Sequence, residues 1–503
     1  MKKINFVILV LSAASFCSCE DFLSKEPLND LTVEKFYETE ADVTAGLIGA
    51  YNDFQYTRFI PHNFVCITSI AAGDAWEPNS NAPGLKEYEK LEVTSSNGDG
   101  KNLEIFIQAF GIIGEVNRVL LYLPEINTTE EAKNELEGEI RFLRALSYYH
   151  LVGLFGGMPI LREATNFADE VDFTRATVQE TWAFVIEDLT YAAANLPASR
   201  DQANQGRATR GSANGLLARI LAMRAADDAG LWQRAKEAAQ AVINDGYSLD
   251  PDYANNFKAS GDYNSESLFE IGYDPESPDA QGNQVHPFNT APFAGGWSYG
   301  ESTSQTYKNF EADDVIRRKA SVYMIGDTIN DTERVWDGSD NPEFLSPSPN
   351  GFVRAGTAKY NTPNQPCCSG SGINFKLIRF AEMLLVMAEA ENELGNTASA
   401  LGYLKQVRDR ANLNTDMTLT DQASVREMIF MERMAELTME GVKYYDLVQR
   451  NRGRDFKIKT YNRDEFLFPI PQAEIDKNGW QQNTSLTQAM KDEFMAGVIV
   501  DIR

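Results

Sequence analysis

Residues 426–450 read REMIFMERMAELTMEGVKYYDLVQR, and this stretch decides the fold of the chain. Its apolar side chains recur at steps of three and four residues, which is the spacing of one buried helix face. The stripe consists of Phe430, Met434, Leu437, Tyr444 and Val448, with Gly441 on the same line. The spacing therefore predicts an amphipathic helix pair packed into a helical core.

A second stripe along this stretch is acidic. Glu432, Glu436 and Glu440 follow one another at intervals of one helical turn. Like charges at this spacing repel, so cations must lie close to them. The nearest candidates in the sequence are Arg433, Lys443 and Arg450. Three acids in a row also suit a metal or an acid–base site, but such carboxylates are more often structural. We therefore predict a structural ion network that contains Glu432, Arg433, Glu436 and Glu440.

The same stretch resembles the C-terminal signature of the SusD/RagB family. The matching positions are Glu432-Arg433, Glu436-Leu437, Glu440-Gly441, Asp446-Leu447 and Arg450. Residues 468–475, FPIPQAEI, and 481–483, QQN, resemble the terminal motif of the family, although Thr484 stands where proline is usual. Residues 379–390, RFAEMLLVMAEA, are similar to its preceding helix. The resemblance implies a surface lipoprotein that binds glycans for an outer-membrane transporter, with these glutamates as scaffold.

The chain begins with a targeting segment. Residues 1–19 read MKKINFVILVLSAASFCSC, in which two lysines precede an apolar run too short to span a bilayer. Cleavage before Cys19 leaves the small Ser18 at the cut, whereas cleavage before Cys17 would leave the bulky Phe16 there. We therefore predict a lipoprotein signal peptide over residues 1–18 and lipidation of Cys19. The acidic pair that follows, Glu20-Asp21, resembles the start of mature SusD-like proteins and implies an outer-membrane, cell-surface location.

Helical periodicity recurs along most of the chain and predicts a series of hairpins. The predicted helices cover residues 102–123, 130–155, 178–196, 209–227, 232–244, 374–394 and 397–411. Repeated hairpins of this size suggest tetratricopeptide-like units. The predicted fold is therefore mostly α, with a helical scaffold over about residues 41–246 and 373–452 and a C-terminal segment over 453–503. Residues 19–503 are expected to form a single SusD-like domain.

Residues 247–372 differ in character from the scaffold. Gly, Pro, Asn, Asp and Ser dominate there, the helical period is lost, and short strand-like runs such as residues 267–273 occur. A long segment of this kind inside a compact fold is usually functional. We therefore predict a loop-rich ligand-binding insertion that contains short strands.

Two loop clusters carry the residue types that bind sugars. An aromatic ring covers the C–H face of a sugar, and amide or carboxylate groups bind its hydroxyls. The predicted ligand contacts are Asp74, Trp76, Asn79 and Asn81 in one loop and Asn289, Trp297 and Tyr299 in the insertion. The competing role for each aromatic is to anchor its loop in an apolar pocket.

Composition and motifs exclude several other functions. The sequence has 46 Lys and Arg against 73 Asp and Glu, and its formal net charge of −27 disfavours nucleic acid. Residues 296–300, GWSYG, match the G-x-S-x-G pattern, but all three histidines precede Ser298 and a hydrolase needs one after it. Zinc and nucleotide motifs are absent from the sequence, so we assign no metal site and no cofactor, and whether calcium is bound stays open. The pairing of Cys66, Cys367 and Cys368 stays open.

The sequence thus favours a glycan-binding lipoprotein, resembling SusD, that is not an enzyme. It would capture oligosaccharides and deliver them to a SusC-like TonB-dependent outer-membrane transporter, as the resemblance implies. Two alternatives are an all-helical glycoside hydrolase, which needs only a suitably spaced pair of carboxylates, and a peptide-binding nutrient-uptake lipoprotein.

Overall fold

A computed structural model describes most of the chain. The described residues are 36–56, 59–77, 84–96, 99–164, 172–274, 282–283, 285, 296–297, 299–302, 304–328, 335, 355–361, 371–448, 450 and 466–483. The α-helices are α1 (Glu40–Phe54), α2 (Val65–Ala71), α3 (Leu85–Glu89), α4 (Asp99–Tyr122), α5 (Glu130–Phe155), α6 (Val178–Asn195), α7 (Arg210–Arg224), α8 (Leu231–Asn244), α9 (Ser304–Lys308), α10 (Val315–Ser321), α11 (Phe380–Glu393), α12 (Thr397–Arg410), α13 (Gln422–Glu436), α14 (Lys443–Val448) and α15 (Gln472–Asn478). The strands are β1 (Ala75–Trp76), β2 (Ser267–Ile271), β3 (Glu301–Ser302), β4 (Val322–Tyr323), β5 (Gly356–Thr357) and β6 (Phe375–Arg379). The predicted mostly α fold is confirmed.

Local sequence signals set the ends of the long helices. Thr129 caps α5 by accepting a hydrogen bond from the backbone N–H of Ala132, and the helix ends at Gly156, whose φ is +82°. The Thr177 side chain and the carboxylate of Glu180 form a reciprocal capping box at the start of α6. These caps satisfy backbone groups that a helix end would otherwise leave without partners.

The long helices stack in chain order. Helices α4 to α8 each pack against the next, and α11 packs against α12. Helix α8 also packs directly against α11, although residues 245–379 separate them in the chain. The two halves of the scaffold therefore form one continuous stack, and the insertion leaves and returns at the α8–α11 contact.

The stretch that decides the fold forms a broken helix pair. Helix α13 ends at Glu436 and α14 begins at Lys443, and between them Met439 and Gly441 have φ of +59° and +76°. A Cβ on Gly441 would lie 2.9 Å from the ring of Phe64, so both backbone angle and space require glycine there. The apolar stripe of the sequence is buried throughout.

Within the described ranges, three short antiparallel sheets accompany the helices, with β1 paired to β3, β2 to β6 and β4 to β5. The helix predicted over residues 374–394 is wrong in its first part, because Phe375–Arg379 is strand β6 and the helix begins at Phe380. All five residues of β6 are buried, and their backbone pairs with β2, so tertiary pairing overrides the helical pattern here.

Candidate ligand-binding site

The two loop clusters singled out in the sequence meet in the structure. Strand β1 pairs with β3, so that Ala75 lies opposite Ser302 and Trp76 opposite Glu301. This pairing joins positions more than two hundred residues apart and brings the loop after α2 to the insertion. It forms the frame of the candidate site.

Asp74 anchors the loop that precedes β1. Its side chain is buried, and Oδ1 accepts from the ammonium group of Lys443 at 2.7 Å. The backbone N–H of Met439 donates to Oδ2 at 3.3 Å, and the hydroxyl of Thr306 donates to the Asp74 carbonyl oxygen. The carboxylate predicted to bind sugar hydroxyls is therefore turned inward and ties the loop to the start of α14.

The aromatic residues of the two clusters differ in exposure. Trp76 is 4% exposed, so its ring has no open face in this structure. Trp297 and Tyr299 are each partly exposed, and their ring centroids lie 5.7 Å apart with the planes inclined by 46°. Tyr299 packs against the hydrophobic core on one side, and the exposed parts of the two rings could form an apolar surface for the C–H face of a sugar.

The remaining predicted contacts, Asn79, Asn81 and Asn289, lie outside the described residues, as does the predicted lipidation site Cys19. Their roles stay predictions. Cys66 is a buried free thiol close to the site, since its Sγ lies 3.8 Å from the carbonyl oxygen of Tyr299. Burial raises the pKa of the Cys66 thiol to about 12, so the thiol is protonated at neutral pH.

The three glutamates of α13 and the following turn lie in a dense, buried ion network. The contacts are Glu432 with Arg317 (2.5 Å) and Arg408 (2.9 Å), Glu436 with Arg317 (3.2 Å), Arg379 (2.9 Å) and Arg410, and Glu440 with Arg379 (2.7 Å) and Lys359 (2.7 Å). Glu266 joins through Arg379 and Arg410, and Asp314 joins through Arg317. Five carboxylates thus face five cations, and the charges of these buried side chains balance.

The cations that the sequence suggested are wrong for these glutamates. Arg433 pairs instead with Asp446 at 2.9 Å and with Glu382 at 3.3 Å. Arg450 also pairs with Asp446, at 2.7 Å. These arginines lie on another face of the pair of helices, so neighbours in sequence are not neighbours across the network. The partners missed by sequence reasoning come from α10, the segment after β5, β6 and α12, and carry no local signal.

The network shifts the pKa values of its acids in two directions, because burial raises the pKa of Glu432 despite Arg317 and Arg408, whereas the pKa values of Glu436 and Glu440 are lowered. Burial raises the pKa of the Glu436 carboxyl, but Arg410, Arg379 and Arg317 outweigh burial and hold that pKa well below its usual range. The pKa of Glu440 is also held below its usual value, because Arg379 and Lys359 outweigh burial. Carboxylates that stay ionised between cations are poor proton donors, so Glu436 and Glu440 suit structural support better than acid–base chemistry.

The network also joins the insertion to the scaffold. Arg317 lies on α10, within the insertion, and Lys359 follows β5 there. Both bond to glutamates of the C-terminal stretch. Within the described part of the chain, no three His, Cys, Asp or Glu side chains are arranged to hold a metal ion.

Comparisons with known proteins agree with this architecture. Residues 265–455 match the model of the SusD family, and residues 21–221 match a model described as "Starch-binding associating with outer membrane". SusD-like protein P2 of Formosa agariphila is 27% identical over 95% of this chain and 97% of its own length. The starch-binding protein SusD of Bacteroides thetaiotaomicron is 23% identical over 80% of this chain and 81% of its own.

A solved structure shares the fold. A protein crystallised with a xylogluco-oligosaccharide superimposes with a TM-score of 0.71 at 20% identity, covering 88% of this chain and 99% of that one. The two family matches fall on both sides of the α8–α11 contact, on the scaffold and on the insertion with the C-terminal helices. By these matches the chain belongs to the SusD/RagB family.

Proposed function

We propose that this protein is a cell-surface lipoprotein that captures oligosaccharides and delivers them to a SusC-like TonB-dependent outer-membrane transporter. Family membership supports glycan binding, because a relative over most of the chain is a starch-binding protein and a protein of the same fold was crystallised with an oligosaccharide. The observation that carries the proposal is the partly exposed pair Trp297 and Tyr299, which lies next to the β1–β3 pairing.

We assign the ligand contacts to the two loop clusters with divided roles. Trp297 and Tyr299 form the stacking surface, and Asn79, Asn81 and Asn289 supply hydrogen bonds to sugar hydroxyls. Trp76 and Asp74 support this surface, because both side chains are buried, Trp76 lies on the strand that pairs with β3 of the insertion, and Asp74 pairs with Lys443 of α14. The proposal thus separates rings that touch ligand from residues that hold them in place.

The protein is proposed to bind without cutting. Four of the five carboxylates of the central network, Glu266, Glu432, Glu436 and Glu440, each face at least two cations, which disfavours them as the acid–base pair of a glycosidase. Chromatography of the glycan after incubation tests this point. Shortened products that disappear when one Asp or Glu is replaced would support the hydrolase instead.

Calorimetric titration tests the binding surface, with maltoheptaose, laminarin and a xylogluco-oligosaccharide as probes. Loss of a central stacking ring costs about 2 kcal/mol, so Trp297→Ala should weaken Kd roughly thirtyfold. Trp480→Ala is the matched control, because Trp480 is also partly exposed but lies at the C-terminal segment against Phe106. Equal affinity of the two folded variants would reject Trp297 as a contact. Peptide binding in the same titration, with no response to any glucan, would favour the peptide-uptake alternative.

The anchor and the partner are tested in cells. Cys19→Ser should move the protein from the membrane fraction to the soluble fraction, because the lipid is its proposed attachment. Tagged wild-type protein purified from detergent-solubilised outer membranes should bring a TonB-dependent transporter with it. A Cys19→Ser protein that stays on the surface would disprove lipidation at that residue.

A further inference from the structure

A tight turn after α8 carries an aromatic residue in an unfavourable backbone conformation. The N–H of Asn264 donates to the carbonyl of Gly261 at 3.2 Å, Asp262 has φ −61° and ψ 135°, and Tyr263 has φ +54°. These angles describe a type II turn, whose third position requires a positive φ and favours glycine or asparagine. Tyrosine at this position costs conformational free energy that glycine would not.

Packing of the Tyr263 ring in the hydrophobic core does not offset this conformational cost. It is 37% exposed, and among the described residues it is outside the hydrophobic core and the side chains packed on that core. Its hydroxyl lies close to two glycines: a Cβ on Gly206 would be 3.0 Å from that oxygen, and a Cβ on Gly272 would be 2.6 Å from it. Two neighbouring backbones thus leave room for a ring that the turn itself disfavours.

The ring stands between two adjoining cavities. One has a volume of about 270 Å³ and extends towards Arg200 and Tyr247. The other has a volume of about 220 Å³ and extends towards Asn52 of α1 and Gln55, which follows the end of that helix. Tyr263 lines both cavities. Both lie below the usual range of roughly 300–1,000 Å³ for small-molecule pockets, so each suits a single compact ring rather than a long chain.

The charged groups around the cavities have partners of opposite charge. Arg200 and Arg207 both pair with Glu139, at 2.9 and 2.5 Å, and Arg200 also pairs with Glu135. Glu270 pairs with Lys376 at 3.2 Å, and Asp245 pairs with Arg210. A cleft whose charged groups are neutralised by the protein favours an uncharged ligand over a phosphate or a carboxylate.

We infer that Tyr263 is the stacking platform of a second saccharide-binding cleft, separate from the Trp297 surface, which takes one or two units of a neutral glycan. The polar rim formed by Gln205, Asn52 and Gln55 would bind the sugar hydroxyls. The inference rests on the proposed function for its ligand class, but the cleft and its residues are independent of the Trp297 surface.

Ligand-observed saturation-transfer NMR tests the cleft with maltose, cellobiose and laminaribiose at millimolar concentration. The Trp297→Ala protein serves as the background, so that signal from the other surface is removed. At least one disaccharide should receive saturation, and adding Tyr263→Gly should weaken its Kd about tenfold. Phe173→Ala is the matched control, because that ring is 38% exposed and lines neither cavity.

Two further measurements keep the outcome decisive. Tyr263→Gly should melt at or above the wild-type temperature, since glycine relaxes the turn. Gln205→Trp leaves Tyr263 in place, fills the cleft from its exposed rim, and should also remove saturation transfer. Unchanged transfer in both variants, transfer to a tripeptide but to no sugar, or no transfer at all in the Trp297→Ala background would overturn the inference. Trp297→Ala could lose long-glycan binding while its disaccharide signal stays the same with and without Tyr263→Gly. That result would overturn the Tyr263 cleft and leave the proposed function intact.

Discussion

Replacing Glu436 by glutamine removes one charge from the centre of the ion network and keeps the size of the side chain. Glu436 is fully buried and accepts from Arg379 at 2.9 Å, from Arg317 at 3.2 Å and from Arg410. The substitution leaves three guanidinium groups with one carboxylate fewer, so the balanced cluster acquires an uncompensated buried positive charge. Removing one partner of a buried ion pair costs about 3–5 kcal/mol.

This loss converts into a measurable change in melting temperature. For a chain of 503 residues the entropy of unfolding scales to about 1 kcal/mol per kelvin, so Glu436→Gln should lower Tm by about 3–5 °C. The control is Glu427→Gln, which removes the same charge from an exposed position of α13 and should change stability by less than about 0.5 kcal/mol. Scanning calorimetry and urea titration at pH 7 provide the two measurements.

The pH dependence gives an independent check with a definite sign. The folded pKa of Glu436 is depressed below its ordinary value of 4.5, so its stabilising contribution is present above pH 4.5 and declines as the pH falls below it. The glutamine variant lacks this contribution at every pH. The stability difference between wild type and variant should therefore be largest near neutral pH and should narrow below pH 4.5. Equal melting of both proteins at pH 7 would refute the structural account of the network.

Two further predictions concern buried polar groups elsewhere. His150 is buried against Phe64, its ring nitrogens have no hydrogen-bond partner among the described residues, and burial lowers its pKa to about 3, from an ordinary 6.5. Between these two pKa values the unfolded chain binds the proton and the folded chain does not, so the free energy of unfolding falls as the pH drops from 6.5. His150→Phe lacks this group, so at pH 5 its free energy of unfolding should be about 2 kcal/mol higher relative to wild type than at pH 7, as measured by urea titration. An equal pH dependence in both proteins would contradict this. Asp74→Asn removes the carboxylate that pairs with the Lys443 ammonium group, so it should lower the free energy of unfolding by about 2–3 kcal/mol. It should also weaken glycan affinity, as measured by calorimetry. Wild-type affinity in the folded variant would show that the Asp74 anchor does not position the binding surface.

The helices were predictable because their signals are local. Helix α5 has the predicted bounds, since its cap at Thr129 and its stop at Gly156 both lie within the segment that they delimit. The ion partners were not predictable in this way. Glu436 and Arg379 are 57 positions apart, and Glu436 and Arg317 are 119 apart. An acidic stripe in the sequence shows that cations must lie nearby, but the packing of elements distant in sequence determines which cations these are.

The candidate site shows the same limit at the level of single residues. A carboxylate beside a tryptophan in a Gly-rich loop is typical both of a ligand contact and of a buried anchor. The contact with Lys443 identifies Asp74 as a buried anchor, and Lys443 lies 369 positions away in the sequence. Tyr263 is a second example, because a tyrosine in a turn gives no sign in sequence of a positive φ. Only the positive φ of Tyr263 in the structure distinguishes it from other turn residues.

The buried charges have a consequence for binding that the contact surface alone does not suggest. A balanced ionic cluster adds little net stability compared with an apolar core of equal volume, but its geometry is satisfied in one arrangement only. Here that arrangement ties α10 and the segment after β5, both in the insertion, to α13 and the turn that follows it. Asp74 ties the other loop to Lys443, only a few residues further along. Both halves of the candidate site therefore take their position from residues 432–443, so substitutions in that stretch should alter glycan affinity without any contact to the glycan.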